Sequence, residues 1–354
     1  MQRVTIIGLG LIGGSIGLAL RRWAEANTSN GKPALEVTGF DLDIEQQQYA
    51  QRIKAIDRGA WDLAKAVQDA DIVILATPVA AMRETLETIA PHLKAGATVV
   101  DTGSTKADVV TWADELLPTT VAFVGGHPMA GKSQSIEGAE ADLFKGATWV
   151  VTPSVRANED AIRNALGLVA AVGAEPFFVD PVEHDAYVAG ISHLPLIVST
   201  ALVQTVTKDA SWRDMKSLTA GGFRDVSRLA AGSPDMHRDI LLTNRAAITR
   251  WIDSYVDTLT QLRADLQQAD DTARPALTEF FTEARDARAD WSTQTTREGE
   301  LLQGTAGELS TEGMSDQMGR MLLGGLARRR RGLSGRDRRD RTTAGRDEDE
   351  RSRR

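Results

Sequence analysis

The chain has 354 residues, 42% of them hydrophobic and 25% charged, and no cysteine. That length exceeds one ordinary core and points to two domains plus extras; the missing cysteines exclude disulfides and thiolate metal sites and fit a reducing cytoplasm. The net charge of −8 is uneven: Leu326–Arg354 holds 12 Arg against 6 acidic residues, a local +6 that leaves −14 on the rest. An acidic body argues against nucleic acid as a main partner, so an anionic ligand has to be caught by local positive groups.

Val4–Leu20 is apolar and follows a single Arg, but it carries five glycines and no small-residue cleavage site, which argues against a signal peptide. It reads as a strand Val4–Gly8, a glycine turn, and a helix with Ile12, Ile16, Ala19, Leu20 and Trp23 at helical spacing. Asn27–Pro33 is a polar loop. Strands follow at Glu36–Phe40, Ala70–Ala76, Thr98–Asp101 and Val121–Gly125, separated by helices at Ile44–Ala55, Met82–Leu93 and Lys106–Leu117. This alternation predicts an α/β fold with a parallel sheet covered by helices on both faces. Ala147–Thr152, a helix Asp160–Val172 and a last strand Pro176–Val179 complete a dinucleotide-binding domain of Rossmann type over residues 1–179.

From Asp180 to Trp291 the texture is helical, with breaks near Pro195, Gly221-Gly222 and Ser233-Pro234, and predicts an all-helical second domain over 180–291. Asp180 as N-cap, Pro181 at the first helical position and Glu183 as the far half of a capping box mark its start. Pro195 removes a helical donor and frees the carbonyl of Ile191, so an irregularity is expected at Ser192 and His193. Residues 292–354, rich in Gly, Ser, Arg and Asp, predict a disordered tail. No apolar run beyond the first approaches the ~20 residues of a membrane span, so no membrane partner is expected.

Gly8-Leu9-Gly10-Leu11-Ile12-Gly13 is a G-x-G-x-x-G fingerprint between a strand and a helix, the context that gives it meaning. Gly8 permits the tight turn, Gly10 lets backbone approach a pyrophosphate, and Gly13 lets the helix pack on the strand. The amides opening that helix suit phosphates. Asp41 ends the second strand and can accept both ribose hydroxyls of NAD while repelling a 2′-phosphate, so NAD is expected over NADP. A turn-capping role for Asp41, with Asp43 as the contact, is the alternative.

Ligands of such sheets sit beyond the carboxyl ends of the strands. Those ends are the fingerprint, Thr77-Pro78, Thr102–Ser104 and Gly126–Pro128. His127 is thereby placed for catalysis, and its near-neutral pKa suits a base that takes an alcohol proton as hydride leaves. Ser104, from the neighbouring strand end, is positioned to orient the imidazole. The five histidines are scattered along the chain and no metal site is expected.

Four strings, Asp101-Thr102-Gly103-Ser104-Thr105-Lys106, Gly125-Gly126-His127-Pro128-Met129-Ala130-Gly131, Ile191-Ser192-His193-Leu194-Pro195 and Gly221-Gly222-Phe223-Arg224-Asp225-Val226-Ser227-Arg228, resemble the signatures of the prephenate/arogenate dehydrogenase family. The resemblance spans roughly Val4 to Trp291. It implies an NAD-dependent oxidative decarboxylation of a small dianion, prephenate or arogenate, in tyrosine biosynthesis. It implies His127 as catalytic histidine with Ser104 as partner, Arg228 as the holder of a substrate carboxylate, and His184, Ser192 and His193 as pocket lining. It also implies a homodimer joined through the helical domain. Three places depart from the pattern, one of them His237, where a tryptophan is often found after Pro-x-Met. Leu196 stands where many prephenate-preferring relatives have a second histidine. Lys132 and Ser133 stand where others have an acidic residue, and Lys132 facing the pocket would favour an extra anion over an ammonium. The competing readings are a β-hydroxyacid dehydrogenase, which would need a catalytic lysine near Pro195, and a non-enzymatic NAD-binding protein. No folded regulatory domain is expected after Trp291.

Overall fold

The computed structural model describes residues 1–28, 33–132, 134–267 and 273–305, with the backbone alone for 273 and 292–305. Met1–Ala264 forms one compact unit. In chain order it contains β1 (Gln2–Ile7), α1 (Leu11–Ala26), β2 (Leu35–Phe40), α2 (Ile44–Arg52), β3 (Arg58–Gly59), α3 (Leu63–Val67), β4 (Ile72–Leu75), α4 (Val79–Ile89), β5 (Thr98–Asp101), α5 (Ala107–Leu116), β6 (Ala122–Pro128), β7 (Thr148–Pro153), α6 (Glu159–Ala171) and β8 (Glu175–Phe178). The helices α7 (Pro181–Val188), α8 (Leu194–Thr207), α9 (Trp212–Met215), α10 (Gly221–Ser227), α11 (Pro234–Thr243) and α12 (Arg245–Gln267) follow, α12 running into the second unit. The described part of the second unit is essentially α13 (Ala273–Thr305).

The eight strands lie in the order β3-β2-β1-β4-β5-β6-β7-β8. From β3 to β6 all pairs are parallel, and the order reverses between β1 and β4. At such a switch point the two flanking connections leave in opposite directions and open a crevice at the carboxyl ends. Strands β4 and β5 are buried along their whole length because helices cover both faces, which explains the unbroken apolar run of β4 and the Val99-Val100 centre of β5. One core packs Val73, Leu75, Met82, Leu86, Val99 and Phe123 together.

The sheet is mixed, where the alternating elements predict a parallel one: β7 runs antiparallel to β6, His127 facing Val150 in register. The reason lies in the connection. The described residues between 129 and 147 hold a short 3-10 turn at Ile136–Gly138 and no crossover helix, so the chain turns back beside β6. The crossover through α6 then makes β8 parallel to β7. Strand β3 and helix α3, two and five residues long, are additions too short to show as periodic patterns.

α7 begins as expected, with Pro181 in its first turn and the Asp180 carboxylate accepting from the amides of Val182 (2.9 Å) and Glu183 (3.3 Å). The irregularity before Pro195 is a π-helical turn, Ala189–His193, in which the Leu194 amide donates to the carbonyl of Ala189. Helix therefore runs almost without a break from Pro181 to Thr207, and this run is apolar and long enough to cross a membrane by length and composition. That corrects the expectation that none exists: Pro195 bends the hydrogen-bond ladder without ending the helix. The run carries His184, Asp185 and His193, all buried, and the first two hydrogen-bond to residues at the sheet's edge. α13 carries helical backbone past Trp291 to Thr305, through the start of the segment read as a disordered tail. Its Gln, Arg, Glu and Leu are ordinary helix formers in a polar context that leaves no apolar period to read. The remainder of that tail, residues 306–354, lies outside the described residues, as do residues 29–32 of the polar loop and Ser133.

Candidate active site

The fingerprint wraps the carboxyl end of β1 beside that of β4. Gly8 has φ +91°, and a Cβ there would stand 2.6 Å from the carbonyl oxygen of Ala76. A Cβ on Gly13 would stand 1.9 Å from the carbonyl oxygen of Gly8, so α1 lies directly on the turn. A Cβ on Gly10 would meet nothing within 4 Å. Gly10 caps α1 with no side-chain hydrogen bond, and no acidic residue occupies the first turn. The Leu11, Ile12 and Gly13 amides thus form the positive pole of α1, which is what a dinucleotide pyrophosphate requires. Across the crevice the Thr77 hydroxyl is buried without a hydrogen-bond partner, and Pro78 begins α4.

Asp41 fixes the turn after β2. Its Oδ2 accepts from the Leu9 amide at 2.6 Å and its Oδ1 from the Asp43 amide at 2.9 Å, fixing the turn while each oxygen keeps a lone pair for a ribose hydroxyl. The Asp43 carboxylate caps α2, accepting from Glu45 (2.8 Å) and Gln46 (3.5 Å).

His127 lies near the carboxyl end of β6 and is almost fully buried. Its Nδ1 is 2.9 Å from His184 Nε2, and the two rings meet edge to face. His184 Nδ1 lies 2.8 Å from Asp185 Oδ1. The Asp185 carboxylate also accepts from the backbone amides of Lys106 (2.8 Å) and Ala107 (2.9 Å). α5 has no side-chain cap of its own, so Asp185 supplies one from α7. Asn244 donates to the carbonyl of Asp185 at 2.7 Å and reaches His193 Nδ1 at 3.2 Å.

Beneath this chain lies a buried ion pair. Asp101, at the end of β5, accepts from Lys106 Nζ and from the amides of Gly103 (2.7 Å) and Gly126 (3.1 Å). Burial holds the Lys106 ammonium below its ordinary pKa, against the pull of Asp101. His127 is held well below the ordinary histidine value by burial first, then by His184, Lys106 and His193. His193 is pushed down to about 4 by burial, with His184 adding and Asp185 opposing. Both imidazoles are therefore neutral near pH 7.

The sequence-derived candidates divide. His127, His184 and His193, distant in the chain, come together. Among the described residues no hydrogen bond joins Ser104 to His127, whose Nδ1 faces His184. His193 has a buried Nε2 without a partner, whereas Ser192 is exposed. Arg228 is exposed and engages no carboxylate among the described residues; the nearby Asp235 pairs with Arg238. Lys132 pairs with Glu140 at 2.6 Å on the loop after β6. Leu196 is buried. Asp185, Asn244 and Asp101 were not singled out by sequence, although the His184-Asp185 dipeptide was a readable sign.

Comparison with known proteins identifies the group to which this arrangement belongs. Residues 16–177 match the family model of the prephenate dehydrogenase nucleotide-binding domain, and residues 180–283 that of the prephenate dehydrogenase dimerization domain. The chain belongs to the prephenate dehydrogenase family. It is 36% identical over 288 residues to the prephenate dehydrogenase of Bacillus subtilis, covering 80% of this chain and 75% of that one. The structure of prephenate dehydrogenase from A. aeolicus in complex with hydroxyphenyl propionate and NAD+ is similar with a TM-score of 0.74 and 30% identity, covering 82% of this chain and 98% of that one. Synechocystis arogenate dehydrogenase is similar with a TM-score of 0.68 and 29% identity, over 82% of this chain and all of that one.

Proposed function

We propose that this enzyme oxidises and decarboxylates prephenate to 4-hydroxyphenylpyruvate with NAD, on the tyrosine-forming route. The observation that carries the reading is His127: a buried, neutral imidazole at the carboxyl edge of the sheet, anchored at Nδ1, beside a glycine cradle. NAD, when bound, supplies the hydride acceptor. The amides of Leu11, Ile12 and Gly13 hold its pyrophosphate, with Gly8 and Gly10 giving access; Asp41 takes a ribose, and Thr77-Pro78 borders the crevice. His127 accepts the proton of the ring alcohol through Nε2. Loss of the ring carboxylate as carbon dioxide is driven by aromatisation. His193 accepts at Nδ1 from Asn244, so its orphaned Nε2 carries a proton and donates to substrate. In this reading Ser104 and Ser192 contact substrate, not the imidazole.

Arg228 is the proposed carboxylate holder, a role open to an unpaired guanidinium. A charge-assisted hydrogen bond contributes about 1.5–3 kcal/mol, so Arg228→Ala is expected to raise the substrate KM roughly 10–100-fold. Steady-state kinetics check this, and an unchanged KM removes Arg228 from the pocket.

The proposed assembly is a homodimer. The helical region exposes Val182, Tyr187, Ile191, Leu218 and Val226, an apolar surface of the kind a subunit contact buries. The organisation as 1–179, 180–291 and a tail, and a cytoplasmic setting, belong to the same reading.

Leu196 favours a second substrate, arogenate. The decisive assay follows NADH absorbance with purified enzyme and NAD, offering prephenate and arogenate in parallel. A higher kcat/KM on prephenate is expected. Preference for arogenate would reassign the substrate, and no rate on either would refute both.

A further inference from the structure

We propose that Asp185 and His184 are positioning residues that fix the tautomer of His127 and carry its proton inward. This rests on His127 being the base, as proposed above.

Where His184 is neutral in the resting enzyme, as the proposal takes it to be, the hydrogen-bond network leaves one protonation pattern for the two rings. An ionised carboxylate only accepts, and Asp185 already accepts two backbone amides at the start of α5. His184 Nδ1, 2.8 Å away, therefore bears a proton. A neutral His184 then presents Nε2 as an acceptor, and the nitrogen 2.9 Å from it, His127 Nδ1, must be the donor. That places the free lone pair of His127 on Nε2, the atom the chemistry needs. Histidine tautomers are set in this way by the partner of the other nitrogen.

The same bonds provide a path. When Nε2 binds the alcohol proton, the Nδ1 proton can pass to His184 Nε2: the new N–H bond forms as the His127 Nδ1–H bond breaks. The cation then rests on His184 beside Asp185. Leaving it on His127 is costly, since burial first, then His184, Lys106 and His193, disfavour charge there. Lys106 is itself neutralised by Asp101. Asp108, one helical position beyond the capped amides, is the other carboxyl near Asp185; burial and Asp185 hold it above its ordinary pKa.

The test uses nitrogen-15 NMR of histidine-labelled enzyme together with kinetics of Asp185→Asn and His184→Gln. In wild type the spectrum should show neutral His127 protonated at Nδ1, a readout independent of turnover and therefore of the substrate reading. In Asp185→Asn the amide can donate to His184 Nδ1, turn its tautomer over and drive the His127 proton onto Nε2. A kcat loss of roughly 10²–10⁴-fold, with NAD affinity and substrate KM within a few-fold, is expected. His184→Gln can still accept from His127 through its carbonyl but cannot carry a proton on. It should keep the His127 tautomer and lose roughly 10–10²-fold in kcat, the lower end of an acid–base contribution. A wild-type His127 proton on Nε2 overturns the proposal even if Asp185→Asn fails to fold. A His184→Gln enzyme as fast as wild type overturns the proton path.

Discussion

His127→Ala is expected to lower kcat roughly 10²–10⁴-fold, the usual contribution of a positioned general base, while NAD binding is preserved. The two effects separate because His127 ends β6, whereas the cofactor cradle belongs to β1 and α1. Fluorescence titration with NAD and turnover with substrate measure them separately. The pH profile of the unmodified enzyme gives a second handle. The base works unprotonated, so kcat/KM should be flat above its pKa and fall as acid protonates it. Burial and the neighbours His184, Lys106 and His193 lower that pKa, so the acid limb should lie below the ordinary histidine range near 6.5. A limb at or above 6.5, or a variant with undiminished turnover, removes His127 from the base role.

The fingerprint and the strand ends were legible in the sequence because each depends on local chemistry. Gly8 must adopt positive φ, Gly13 must let a helix lie on a carbonyl, and β4 must be apolar on both faces; each requirement selects residue types at fixed spacing. The reversal at β7 was less legible. A connection without a crossover helix shows as a long polar stretch, and its direction of return is decided by the free edge of β6. Least legible was the partner of His127. Asp185 meets Lys106 and Ala107 across a separation of nearly eighty residues, and a His-Asp pair on a helix ordinarily means a solvated face. Ser104 was the natural choice from strand-end proximity alone; the packing of α7 against the start of α5 brings His184, which proximity along the chain does not show, to Nδ1 of the ring.

The glycine cradle yields a paired prediction in which one methyl group has opposite consequences. Gly10 has φ −70° and open space where a Cβ would go, so nothing in the protein itself requires glycine there. Gly10→Ala is therefore expected to leave the melting temperature unchanged while crowding the pyrophosphate. Loss of one charge-assisted hydrogen bond, about 1.5–3 kcal/mol, corresponds to a KM for NAD roughly 10–100-fold higher. Gly13→Ala forces its methyl group to within 1.9 Å of the Gly8 oxygen unless α1 moves. Overpacking of this kind costs about 1–3 kcal/mol or more, which for a unit of this size lowers the melting temperature by about 2–4 °C per kcal/mol. The shifted helix also misaims its amides, so Gly13→Ala should lose NAD affinity as well as stability. Thermal melts and NAD titrations of both variants decide the matter. Equal destabilisation by the two would mean that Gly10 serves the turn, and undiminished NAD affinity in Gly10→Ala would place the pyrophosphate elsewhere.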